Sequence, residues 1–367
     1  MRVGYDAKRY FFNYTGLGNY SRDLVRILQS HYPEHEYILY TPKPIKEFVP
    51  ASNLTLRSPE SLFEKLISSY WRLKGISRVL STDGIDLFHG LSGEIPLGLS
   101  KYGIKSVVTI HDLIFIRYPE LYNAIDRKIY KQKMQSAAEN ADKIIAISEQ
   151  TKSDIVEFLK IPAQKIQVIY QGCHPAFKKS ISEETKEIVR KKYNLPNDFI
   201  LNVGSIEPRK NAFQIVKAIQ NTEIPLVLIG KDTFYSEEIK AYISVNGLTR
   251  QVIFLKGIST EDLATIYSLA KIFVYPSKFE GFGIPIIEAL YTKTPVITTK
   301  HGVFPEAGGP NSLYVDPENV YELSEVIQQV WMDTNLQQSM RESGYAYAQR
   351  FNDDVLAQQL MDLYLSI

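Results

Sequence analysis

The chain has 367 residues, 44% hydrophobic and 23% charged, and its 42 Lys and Arg against 41 Asp and Glu leave a formal charge of +1. At about 150 residues per domain this predicts two domains, each able to bury a core, and it excludes a disordered, collagen-like or coiled-coil protein and a basic protein drawn to nucleic acid. The single cysteine, Cys173, excludes an internal disulfide framework and a cysteine-based zinc site.

The first residues, Met1-Arg2-Val3-Gly4-Tyr5-Asp6, carry no basic segment followed by an apolar stretch, so no signal peptide is expected. Apolar runs such as 225–229 are too short to span a bilayer. The expected location is cytoplasmic. In the first half, strands are predicted over 3–5, 37–40, 87–89, 106–110, 144–147 and 168–170, with helices over 18–30, 61–80, 122–140 and 150–159. Short apolar strands alternating with helices imply a parallel sheet covered on both faces. Ligands of such sheets bind beyond the carboxyl ends of the strands.

The loop after the first strand reads Thr15-Gly16-Leu17-Gly18-Asn19-Tyr20 and leads into a helix, where backbone amides favour an anion. Ser21 stands where a dinucleotide fingerprint needs its third glycine, so that reading fails, and a plain glycine turn fits equally well. His31-Tyr32-Pro33-Glu34-His35 matches a zinc pattern in form, but Pro33 breaks the helix the pattern requires. The 61–80 segment carries Lys65, Arg72, Lys74 and Arg78 beside Tyr70-Trp71. It reads either as a basic amphipathic helix on anionic lipid or as a solvated helix with its apolar face in the core. His111-Asp112 follows the 106–110 strand; such a histidine can orient a hydroxyl, exchange a proton or cap a loop.

A boundary is predicted between Gly172 and Asn197, where a charged stretch runs between Pro175 and Pro196 and holds a short surface helix near 183–193. The domains are then 1–172 and 198–349, joined by a linker over 173–197. The final helical stretch, broken near Asn352-Asp353-Asp354, has its last part (about 350–367) packing back on the first domain. In the second half, strands are predicted over 199–203, 226–229, 252–255, 272–275 and 296–298, with helices over 211–220, 236–245, 260–269, 284–291 and 321–333. The whole is an α/β chain of two doubly wound Rossmann-like units.

Two loops of the second unit carry the chemistry. Gly204-Ser205-Ile206-Glu207-Pro208-Arg209-Lys210-Asn211 places two cations between a strand and a helix. It suits a polyphosphate or, alternatively, is a solvated basic loop. The run Glu280-Gly281-Phe282-Gly283-Ile284-Pro285-Ile286-Ile287-Glu288 opens the backbone before a helix and sets a second carboxylate amid apolar residues. If buried, Glu288 wants hydroxyl or cation partners; otherwise it faces solvent.

Taken together, the loops resemble glycosyltransferase family 4, retaining enzymes of the GT-B fold. The resemblance spans nearly the whole chain. FEGFGIPIIEAL matches the family's Glu, seven residues, Glu pattern, and VGSIEPRKN its donor-phosphate loop. TGLGNY and IHDL look like the mannosyltransferase branch that builds bacterial surface polysaccharides. The resemblance implies a hexose transferred with retention, GDP-mannose as donor with a UDP-hexose as the alternative, a saccharide or lipid-linked saccharide as acceptor, no nucleic acid, and no metal or other cofactor. It implies that Arg209 and Lys210 neutralise the donor diphosphate and that Glu280 holds donor-sugar hydroxyls. His111 would contact the sugar near its anomeric centre, and these four form the expected catalytic set. It further implies donor contacts from Gly16, Gly18, Ser205, Gly257, Ile258, Phe282 and Gly283, and ribose contacts from Glu288. Gln171-Gly172-Cys173-His174 departs from the Asn-Gly-Val-Asp run of many relatives, in a segment able to touch acceptor or donor. The rival readings are a nucleotide-sugar epimerase or hydrolase of the same architecture, and a non-catalytic sugar-nucleotide-binding protein.

Overall fold

A computed structural model describes residues 1–13, 15–43, 45, 52–59 and 71–367. The chain divides into two compact units, Met1–Gly172 with Phe351–Ile367, and Cys173–Arg350. In the first unit seven parallel strands run in the order β3-β2-β1-β4-β5-β6-β7. They are β1 (Arg2–Asp6), β2 (Glu36–Tyr40), β3 (Leu54–Arg57), β4 (Leu87–Gly90), β5 (Lys105–Ile110), β6 (Lys143–Ala146) and β7 (Ile166–Val168). The central strands are buried on both faces because helices cover both, which is why they read as unbroken apolar runs. Strand β3 escapes the sequence pattern: it is a four-residue edge strand with only Leu54 buried. Strand β7 ends at Val168, where the predicted one begins.

The C-terminal helix Asp353–Leu365 shares the core of the first unit, with Leu356, Leu360 and Met361 packed among Val3, Leu24 and Leu87. Its Tyr364 hydroxyl lies 2.6 Å from His89 Nδ1, and His89 Nε2 lies 2.8 Å from Thr109 Oγ1. Burial pushes the His89 pKa down to about 3, so the ring is neutral in this network.

Positions 61–70 of the basic amphipathic segment lie outside the described residues. Its remainder forms a π turn, Trp71–Gly75, and a helix, Ile76–Thr82. There Trp71, Ile76 and Leu80 are buried in the core and Arg72 pairs with Asp6, so these residues face protein. Among the described residues no helix is long and apolar enough to cross a membrane.

The second unit has six parallel strands in the order β10-β9-β8-β11-β12-β13. They are β8 (Ile200–Val203), β9 (Leu226–Ile229), β10 (Val252–Leu255), β11 (Ile272–Tyr275), β12 (Val296–Thr299) and β13 (Leu313–Val315). Residues 173–197, read in sequence as a linker, carry the helix Glu183–Lys192 and lie within the second unit. The Phe177 ring meets Tyr267 edge-on at 5.5 Å, and the Tyr193 hydroxyl donates to Asp262 at 2.7 Å.

Candidate active site

The strand order of the second sheet reverses between β8 and β11, which pair directly. Their carboxyl ends therefore splay their loops apart at the position where open α/β sheets take ligands. The loop after β8 carries Arg209 and Lys210 on a short 3-10 turn, Pro208–Lys210. The loop after β11 carries Glu280 and leads into the helix Ile284–Tyr291.

The two loops are tied together. Lys278 N donates to Arg209 O at 2.9 Å. Asn211 Nδ2 donates to Pro276 O at 3.2 Å and to Pro317 O at 2.7 Å. Gly204 has φ +149° and lies against the Lys210 stem; a Cβ there would sit 2.9 Å from Lys210 Cδ. Only glycine accepts that conformation and that approach together.

Glu280 organises the charges. Its Oε1 lies 2.9 Å from Arg209 Nη1 and 3.6 Å from Lys210 Nζ, and it accepts from the Tyr275 hydroxyl at 2.8 Å and Ser277 Oγ at 3.1 Å. Burial pushes the Glu280 pKa up, but Lys210 and Arg209 more than offset this and hold it below the usual carboxylate range. Arg209 also bonds Glu207 Oε1 at 2.9 Å and the Phe279 carbonyl. Lys210 donates to the Tyr275 hydroxyl at 3.1 Å. The basic-loop alternative therefore fails: both cations are mostly buried, with side-chain exposures of 19% and 17%. They sit preorganised at a strand-end crevice, where positive charge is worth more than in water.

Glu288 lies in the middle of the helix Ile284–Tyr291, partly buried. The Tyr267 hydroxyl donates to its Oε2 at 3.0 Å. Burial pushes its pKa up to about 7, against the opposing pull of Tyr267 and Lys210. A carboxylate this poorly satisfied gains from further donors such as a pair of hydroxyls.

The remaining residues named from the sequence fall as follows. Ser205 follows Gly204 directly. Phe282 is buried, and Gly283 caps the helix at φ +112°, a conformation that favours glycine. Gly257 and Ile258 follow β10, the edge strand, on the same carboxyl side of the sheet. Gly16, Gly18 and His111 belong to the first unit.

Gly16 is exposed in the first turn of the helix Gly16–His31, and Gly18 is buried there. The Asn13 side-chain oxygen accepts from Thr15 N at 2.9 Å and Gly18 N at 3.1 Å. An amide oxygen thus occupies the helix start, where an anion's oxygen would otherwise sit. His111 is buried beneath the edge of Tyr20, ring centroids 4.6 Å apart. Its Nε2 donates to Leu91 O at 2.9 Å, and its Nδ1 accepts from Gln171 Nε2 at 3.3 Å. Burial pushes its pKa down to about 4, so near neutrality the ring is neutral with both nitrogens engaged. Asp112, read as its neighbouring carboxylate, instead accepts from Ile114 N at 3.1 Å.

Four supporting residues were not singled out in the sequence. Tyr275 and Ser277 sit at the end of β11, where the strand-end rule could have found them. Asn211 closes the cationic turn at φ +61°, a conformation asparagine tolerates. Tyr267 reaches Glu288 from another helix, Thr260–Leu269, and left no local signal.

Residues 14–177 match the family described as Glycosyltransferase Family 4, and residues 184–347 match Glycosyl transferases group 1. O-antigen chain mannosyltransferase B of Escherichia coli is 27% identical over 285 residues, covering 76% of this chain and 74% of that one. The serotype-specific mannosyltransferase WbdA of Escherichia coli is 28% identical over 281 residues, 73% of this chain but only 34% of WbdA. Among solved structures, sucrose-phosphate synthase of Thermosynechococcus elongatus superposes with a TM-score of 0.81 at 22% identity, over 100% of this chain and 98% of the other. Anabaena HepE in complex with UDP-glucose gives 0.75 at 18% identity, over 100% of both chains. These structures share the fold, which is GT-B.

Proposed function

Because the chain belongs to the glycosyltransferases, joining a family 4 domain to a group 1 domain, we propose that it transfers mannose from GDP-mannose to a saccharide or lipid-linked saccharide, with retention of configuration. The observation that carries this reading is the ring of Arg209, Lys210 and Glu280 at the β8 and β11 strand ends. The mannosyltransferase relatives support the sugar, and a role in polysaccharide synthesis follows from the O-antigen relative.

In this reading Arg209 and Lys210 face the donor diphosphate, and Glu280 keeps them in place and meets hydroxyls of the sugar. Ribose hydroxyls donate to Glu288, which favours its charged form. The bond from the anomeric carbon to the leaving phosphate oxygen breaks as the acceptor oxygen bonds the same face of that carbon, and the acceptor proton passes to the leaving phosphate. Negative charge grows on the diphosphate at that moment, and fixed cations stabilise it without reorganisation. They supply there the charge that a divalent ion would supply. Glu280 is a poor nucleophile for a double displacement, because its Oε1 already receives three donors and faces the Lys210 ammonium at 3.6 Å. His111, neutral and with both nitrogens engaged, has no role here as an acid or base.

The test is release of GDP from GDP-mannose in chelator, with and without oligomannoside acceptors. Release that accelerates severalfold with acceptor, together with a lengthened saccharide, is the expected outcome. Acceptor-independent release of free mannose would support the hydrolase, and binding with no release would support the non-catalytic protein.

A further inference from the structure

The first sheet has a switch point of its own, between β1 and β4. A cavity of about 350 Å³ opens there, between Asp6 at the end of β1 and Glu94 just beyond β4. Tyr40, Ile76 and Phe88 give it apolar walls. Its charges are mostly paired. Arg72 Nη2 lies 2.5 Å from Asp6 and 3.2 Å from Glu94, and Lys133 Nζ lies 3.1 Å from Glu94. Two cations therefore answer two carboxylates, and Lys8, which also lines the cavity, is left over.

Lys8 is half-buried, and Glu94 and Asp6, the carboxylates whose charge reaches it, are the same two already paired with Arg72 and Lys133. Burial, reinforced by the nearby Arg72 charge, pushes the Lys8 pKa below the ordinary lysine value. Arg72 Nε is an unmet donor, buried without an acceptor. A buried donor left unpaired is costly, and three cations (Lys8, Arg72, Lys133) face two carboxylates (Asp6, Glu94), so the site favours a ligand that brings acceptor oxygens and negative charge. A neutral sugar would leave the Lys8 charge uncompensated, and a cation would be repelled by it.

We propose that this cavity binds an anionic group, a carboxylate or a phosphate, carried by the acceptor. That the ligand is an acceptor rests on the transferase reading; that it is an anion rests on Lys8 and Arg72 alone.

The test titrates the full chain with glucuronate, glucose 6-phosphate and glucose, following binding by calorimetry in wild type, Lys8→Met, Lys8→Arg and Lys210→Ala. At least one anion should bind about tenfold or more tighter than glucose. Lys8→Met should abolish that preference, Lys8→Arg should keep most of it, and Lys210→Ala should leave it unchanged. A preference for glucuronate identifies an acidic sugar, and one for glucose 6-phosphate a phosphate. Equal binding of glucose, or anion binding lost in Lys210→Ala and kept in Lys8→Met, would overturn the proposal. If Lys8-dependent anion binding stands while no nucleotide sugar is turned over, the transferase reading fails and this site survives.

Discussion

Replacing Lys210 by alanine is expected to lower turnover about a hundredfold while weakening donor binding much less. In the ground state the diphosphate is already charged and is served by Arg209 as well as Lys210. As the glycosidic bond breaks, charge grows on the leaving oxygen, and the missing ammonium matters most there. Removing one preorganised donor of this kind costs about 3 kcal/mol, which is roughly a hundredfold in rate. The fold should tolerate the change, because Arg209, 2.9 Å from Glu280, still answers its charge. Lys210→Arg should rescue only in part: the stem runs along Gly204, and a planar fork does not replace a point charge. Saturation kinetics of the three proteins check this, and near-normal turnover by Lys210→Ala at saturating donor and acceptor would remove Lys210 from the mechanism.

Glu280→Gln should strike stability before chemistry. The substitution leaves Arg209 and Lys210 facing each other across a mostly buried crevice, with Glu207 beside Arg209 and the more weakly coupled Glu288 toward Lys210 as the remaining counter-charges. Breaking a buried pair typically costs about 3–5 kcal/mol, and the remaining Glu207 contact places the expected loss at the lower end of that range. The variant should therefore unfold at clearly lower urea than wild type. A nucleoside diphosphate, which returns negative charge to the same two cations, should raise the stability of Glu280→Gln more than that of the parent. Equal urea midpoints without nucleotide would show that Glu280 does not hold the cations.

The loops that make this cluster were legible because strand-end loops in a parallel sheet have little structural reason to carry Gly204, Arg209, Lys210 and Glu280 together. The partners that set their electrostatics were less so. Tyr267 meets Glu288 through tertiary packing, and no spacing in sequence marks a contact made between helices. His111 was legible as a strand-end residue, but its protonation was not: the Leu91 carbonyl and the Gln171 amide that fix it come from other segments. The edge strands β3 and β13 escaped for a different reason, since strands of three or four residues carry too few alternations to stand out.

In the proposed reading the β8 and β11 loops bind a guanosine diphosphate sugar, with Glu288 on its ribose and the cation pair on its phosphates. Thermal unfolding with a panel of nucleotide sugars tests it most directly, in wild type and Glu288→Ala. GDP-mannose should raise the unfolding midpoint of wild type by several degrees, UDP-glucose should do so much less, and Glu288→Ala should lose most of the GDP-mannose shift. Stabilisation by UDP-glucose and none by GDP-mannose would contradict it.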